Sequence, residues 1–119
     1  MKQNMNISLL NDFYGTLLTE KQRTALDMYH NMDFSLSEIA ENLGVTRQCA
    51  RDFIKKGETH LFEIEEKAGL CRKFESVMRE SEKLRRSAEG LSKKSGEELF
   101  EAEKNILSGI DAITEIMEK

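Results

Sequence analysis

An all-α fold with a helix-turn-helix at its centre is predicted by three features of the sequence. The 119 residues contain no Pro and no Trp and are rich in Glu, Lys, Leu and Met, a composition that favours helices. Cap residues followed by apolar residues at helical spacing recur along the first two-thirds of the chain. The run from Phe34 to Leu61, FSLSEIAENLGVTRQCARDFIKKGETHL, places two capped amphipathic segments on either side of one glycine.

The first element is expected between Ile7 and Leu17, where Ile7, Leu10, Phe13, Tyr14 and Leu17 form a helical stripe. Gly15 blurs its end. Thr19 starts a second helix, and Gln22 three residues on completes a capping box in which each side chain satisfies the other's orphan backbone N–H. Leu26, Met28, Tyr29 and Met32 supply its expected packing face. A turn over residues 31–33 leads to Ser35, with Glu38 at the capping-box position. Leu36, Ile39, Ala40 and Leu43 then line one face of a short helix. Gly44 fits the left-handed residue that ends it. Ala40 and Gly44 are small enough for two helices to cross closely, and Val45 plugs the corner. Thr46 caps the next helix, whose inner face carries Ala50, Phe53 and Ile54.

That helix is expected to continue, since Leu61, Ile64 and Ala68 extend its apolar face. Gly57 lies inside it and costs about 1 kcal/mol relative to Ala, which leaves room for a bend there. Gly69 is the better stop. Beyond it Leu70, Phe74, Val77, Ser81, Leu84, Ala88 and Leu91 alternate at spacings of four and three, a heptad seam. GLSKKSG, from Gly90 to Gly96, reads as a loop. Leu99, Ala102, Ile106, Ile110, Ile113 and Met117 mark a last helix, widened by Leu107 and Ile116. The division expected is a helix-turn-helix domain over residues 1–69 and a helical hairpin over residues 70–119. Such a hairpin cannot bury its stripes alone, so it docks on the first domain or on a second chain, and a homodimer is expected.

The second helix of the motif would present its outer face to a ligand. Thr46, Arg47, Gln48, Arg51, Lys55 and Lys56 point outward, together with Asp52. The N-terminal part of such a helix faces the groove of a duplex, and Arg and Gln can make paired contacts to base edges. Lys55 and Lys56 suit phosphate. The bland alternative is a solvated or protein-binding helix face.

The net charge of −4 is unlike that of most DNA-binding domains. Charge is segregated, however. Residues 47–56 carry four basic side chains against Asp52, and residues 72–94 carry eight basic against four acidic. Residues 97–118 carry seven acidic against one basic. Any affinity for nucleic acid should therefore be modest and strongly salt-dependent. No apolar run has the length of a membrane span, and Met1–Asn6 is polar without a signal-peptide pattern, so a cytosolic protein is expected. Cys49 and Cys71 have no metal-ligand spacing and are expected to be reduced, with Cys49 packed near the corner. His30 and His60 are expected at surfaces or helix ends, and the carboxylates on exposed faces. There is no phosphate-binding Gly loop and no nucleophile–base pair. No catalytic residue, metal or cofactor is expected.

The run LLNDFYGTLLTEKQR (Leu9 to Arg23), the helix-turn-helix and FEIEEKAGL (Phe62 to Leu70) closely resemble YlxM-type proteins. These are small bacterial helix-turn-helix proteins associated with the signal recognition particle pathway. The resemblance covers roughly residues 6–75. It implies an all-helical fold, dimerisation, and a regulatory role near the particle's RNA and its GTPase, without catalytic residues. The matching positions of the motif are Arg47, Gln48, Arg51, Lys55 and Lys56. The motif also resembles region 4 of sigma factors, a broader match. Three readings stand. The first is an accessory protein contacting the signal recognition particle RNA or its GTPase. The second is a regulator bound to duplex DNA, and the third a protein-interaction module with a vestigial helix-turn-helix. None requires membrane insertion.

Overall fold

A computed structural model describes residues 6–118; residues 1–5 of the polar N-terminal stretch lie outside them. Six α-helices follow one another among the described residues: α1 (Ile7–Tyr14), α2 (Glu20–His30), α3 (Leu36–Leu43), α4 (Arg47–Ala68), α5 (Leu70–Ala88) and α6 (Glu97–Glu118). Short 3-10 turns occupy Gly15–Leu17 and Leu91–Lys93. The chain forms two compact units, one reaching Cys71 and the other starting at Arg72.

In the first unit the local signals of the sequence set the helix ends. Asn6 caps α1 through its side chain. Thr19 and Gln22 form a complete capping box on α2, as do Ser35 and Glu38 on α3. Each box satisfies N–H groups that would otherwise lack an acceptor, and loss of such a cap costs about 1 kcal/mol. Tertiary packing supplies the rest. Helix α4 is the spine against which α1, α2 and α3 rest. Leu10 of α1, Leu26 of α2, Ile39 of α3 and Leu61 of α4 are fully buried in one cluster. Each such side chain contributes about 2 kcal/mol by leaving water.

Packing departs from the sequence pattern at several positions. Tyr29 and Met32 are exposed, and Ala25 takes the inner position on α2 beside Leu26. The chain tightens after Tyr14 into the 3-10 turn, which buries Leu18 and turns Leu17 outward. Gly57 does not interrupt α4, which runs unbroken from Arg47 to Ala68. A Cβ at Gly57 would lie 2.8 Å from Leu26 Cδ1 and 3.3 Å from its Cγ. Leu26 is itself buried, so glycine here is what lets α2 lie close on α4. Helix α4 ends where expected, at Gly69 with φ 67°, a left-handed conformation that suits glycine.

The second unit is a helical hairpin. Leu84 of α5 lies over Gly109 of α6, where a Cβ would come within 2.9 Å of it. Ala102 is buried at the same seam. Of the expected heptad positions, Val77, Ser81, Leu84 and Leu91 are partly covered, whereas Leu70, Phe74 and Ala88 are exposed. A single neighbouring helix shields one side of a seam and leaves the other in water.

Candidate nucleic-acid interface

The corner between α3 and α4 is built from backbone geometry. Gly44 has φ 67° and ψ 38°, in the left-handed region. Its N–H donates to Glu41 O, and the N–H of Val45 reaches back to Ala40 O at 3.0 Å. This crossed pair ends α3 and turns the chain. Thr46 then caps α4, its Oγ1 accepting from the N–H of Cys49 at 3.0 Å. Ala40, Ala50 and Ile54 are buried, so the two helices meet through small and aliphatic side chains. Cys49 is half-buried beside this corner and unbonded to other sulfur.

The remaining side chains of the first turns of α4 face water. Arg47, Gln48, Arg51, Lys55 and Lys56 are all exposed. Arg47, Arg51 and Lys55 recur every four residues, so they form a ridge that rises about 6 Å per step. Among the described residues none of Arg47, Arg51, Lys55 and Lys56 takes part in a salt bridge. Arg47, Gln48 and Arg51 share the wall of a surface depression of about 370 Å³ with Leu36 of α3. Lys55 and Lys56 lie a turn further along and are not part of it. Gln48 is partly engaged, since its Nε2 donates to Asp52 Oδ1 at 3.1 Å. Thr46 is also engaged as the cap. The six side chains expected to contact a ligand thus divide by role. Thr46 builds the helix start, Arg47, Gln48 and Arg51 surround one hollow, and the two lysines extend the positive ridge.

Chemically the two guanidinium and two ammonium groups of this face can donate hydrogen bonds to phosphate oxygens. It has the donors for base edges as well. No group of three or more His, Cys, Asp or Glu residues with metal-holding geometry occurs among the described residues. No described helix is long and apolar enough to cross a membrane.

Two polar links hold the ridge on its scaffold, and periodicity reveals neither. His30 Nε2 lies 2.7 Å from Glu58 Oε2, joining the end of α2 to the middle of α4. At the far end of α4, Glu65 is only 2% exposed, against the expectation that every carboxylate lies on an open face. The Tyr14 hydroxyl donates to Glu65 Oε1 at 2.6 Å, and the Cys71 N–H donates to the same oxygen at 3.0 Å. The Tyr14 oxygen in turn accepts the Leu70 N–H at 3.0 Å. Three elements, α1, α4 and the start of α5, are tied through one hydroxyl and one carboxylate. Burial, reinforced by the hydrogen bond to Glu65, pushes the Tyr14 hydroxyl up to about 12 from its ordinary 10.0. The tie sits about 27 Å along the helix from Arg47, so it supports the ridge without belonging to it.

Comparison with known proteins also points to a helix-turn-helix protein. The family model UPF0122, described as "Putative helix-turn-helix protein, YlxM / p13 like", matches residues 1–103. The UPF0122 protein of Desulforamulus reducens is 40% identical over 110 residues, spanning 92% of this chain and 94% of that protein. That of Halalkalibacterium halodurans is 40% identical over 113 residues, spanning 95% and 98%. A third, from Acetivibrio thermocellus, is 54% identical over 67 residues, covering 56% of this chain and 57% of its own length.

Proposed function

We propose, from the premise that the chain belongs to the UPF0122 family of YlxM/p13-like helix-turn-helix proteins, that it binds nucleic acid through the first half of α4. Its role in this reading is that of a cytoplasmic accessory or regulatory protein of the signal recognition particle pathway, and its ligand is the particle's RNA. The observation that carries the binding step is the exposed ridge of Arg47, Arg51, Lys55 and Lys56, without ion-pair partners among the described residues. The likeness of Leu9–Arg23 and Phe62–Leu70 to YlxM-type proteins supports the choice of pathway.

An RNA duplex hides its base edges in a deep, narrow groove. The ridge would therefore read backbone shape and phosphate spacing, with the arginines as paired donors and the lysines as point charges. The net charge of −4 opposes approach of a polyanion as a whole, so binding concentrates on this face and weakens steeply with salt. No catalytic step is part of the reading.

Fluorescence anisotropy titration of the signal recognition particle RNA, beside a mixed-sequence DNA duplex of equal charge, tests it. Tighter binding to the RNA at every salt concentration is the expected result. Preference for duplex DNA would transfer the ridge to transcriptional regulation. That second reading is favoured by Arg47 and Gln48, side chains suited to base edges, in the first turn of the presenting helix. Binding to neither would overturn both and leave a helix-turn-helix used as a protein-interaction scaffold, for the pathway's GTPase among others.

A further inference from the structure

We propose that the hollow between α3 and α4 is a pocket for one unpaired adenine of an RNA ligand. The inference rests on the reading that α4 binds RNA, and it adds the base-reading element that phosphate contacts lack. Arg47, Gln48 and Arg51 of α4 line the hollow with Leu36, the first residue of α3, around about 370 Å³ of space. Arg47 and Arg51 lie one turn apart and are exposed. Neither has a hydrogen bond or an ion pair among the described residues. Leu36 packs against the core on one side and is only partly buried. A phosphate has no use for that apolar wall, whereas a base has. A guanidinium plane stacks on the face of an unstacked base, its N–H edge staying available to phosphate, and a leucine side chain shields ring surface from water.

Gln48 selects the base. Its Nε2 donates to Asp52 Oδ1 at 3.1 Å. A carboxylate only accepts, so this contact fixes which end of the amide faces Asp52. Oε1 and the second N–H of Gln48 are left without partners among the described residues. An acceptor beside a donor matches the N6–H and N7 of adenine. Guanine presents acceptors at both O6 and N7, so Gln48 Oε1 would there meet another acceptor. A paired adenine cannot offer this edge, because the major groove of an RNA duplex is closed to side chains. The adenine therefore sits in a bulge or loop, beside a duplex whose phosphates Lys55 and Lys56 hold. Asp52 touches no base in this arrangement. It is a positioning residue that aims the Gln48 amide, and its negative charge disfavours a phosphate at Gln48.

Fluorescence anisotropy of the full chain tests it, with RNA hairpins of one stem sequence carrying a bulged A, a bulged G, a bulged U or no bulge. The bulged A should bind about tenfold more tightly than the bulged G or the fully paired stem. Gln48→Ala should bring the A-to-G ratio close to one and leave the salt slope unchanged, since it removes no charge. Asp52→Ala should lower the same ratio, whereas Asp52→Glu, which keeps an acceptor-only carboxylate, should largely retain it. Both positions are exposed, so helix content by circular dichroism should stay at the wild-type level. Salt-dependent binding of all the hairpins with equal affinity would overturn the pocket and leave RNA binding by α4 standing. So would an adenine preference that Gln48→Ala leaves intact. Binding to no hairpin would overturn both. Tighter binding of a fully paired DNA duplex, with a base preference that Gln48→Ala alters, would overturn the pocket and give Gln48 to a DNA major groove.

Discussion

Removing one oxygen atom, by Tyr14→Phe, should destabilise the first unit although the ring still fits its site. The hydroxyl donates to the buried Glu65 carboxylate at 2.6 Å and accepts the Leu70 N–H at 3.0 Å. A hydrogen bond to an ionised group contributes about 1.5–3 kcal/mol and a neutral one about 1 kcal/mol. The substitution therefore costs about 3 kcal/mol, because the Leu70 N–H loses its acceptor and Glu65 Oε1 loses the Tyr14 donor. Urea unfolding at neutral pH, followed by circular dichroism, measures it. The pH dependence makes the test specific. Folding raises the Tyr14 hydroxyl to about 12 from its ordinary 10.0, so between these values the unfolded chain has lost a proton that the folded chain retains. Stability contributed by the tie is thus fully present below pH 10 and is lost as the pH rises through about 12. The gap between wild type and Tyr14→Phe should narrow over that window. A cost below ~0.5 kcal/mol, or a gap that stays constant from neutral pH to pH 12, would refute the reasoning.

Two backbone predictions concern the scaffold of the ridge. Gly57→Val forces a side chain into the space held by Leu26, 2.8 Å from the new Cβ, and should cost about 1–3 kcal/mol by overpacking, read as a lower urea midpoint. Gly44→Ala meets no atom within 4 Å and suffers only from its φ of 67°. The expected loss is about 1 kcal/mol, much of it recovered by Gly44→Asn. Equal stability of the alanine and asparagine variants would show that conformation is not what selects glycine at the corner.

Much of the fold is legible because its signals are local. The boxes Thr19–Gln22 and Ser35–Glu38, the cap Thr46 and the stops Gly44 and Gly69 each depend on residues within one turn, and all sit where the sequence places them. The outward set Arg47, Gln48, Arg51, Lys55 and Lys56 follows from the same period and is found exposed. What periodicity hides is pairing across distance. Tyr14 and Glu65 are 51 positions apart, and nothing on either helix marks the other as its partner. Glu65 was one carboxylate among many on a charged helix, and only the arrival of α1 and the start of α5 buries it. Gly57 is likewise explained by Leu26 on another helix, not by its own neighbours. Tyr29, Met32 and Leu17 have apolar rings or chains at helical spacing yet face water, because spacing defines a stripe without saying which part of it finds a neighbour. The hollow formed by Leu36 with Arg47, Gln48 and Arg51 also needed two helices to be placed together.

The central claim is that the ridge on α4 holds phosphate. Its most direct test is the salt dependence of binding to the signal recognition particle RNA by wild type and by the triple variant Arg47→Ala, Arg51→Ala, Lys55→Ala. Each lost phosphate contact lowers the slope of log affinity against log salt by about 0.7–0.9, so the triple variant should bind more weakly with a slope shallower by roughly 2–3. An unchanged affinity and an unchanged slope would contradict the account and place the binding surface elsewhere on the chain.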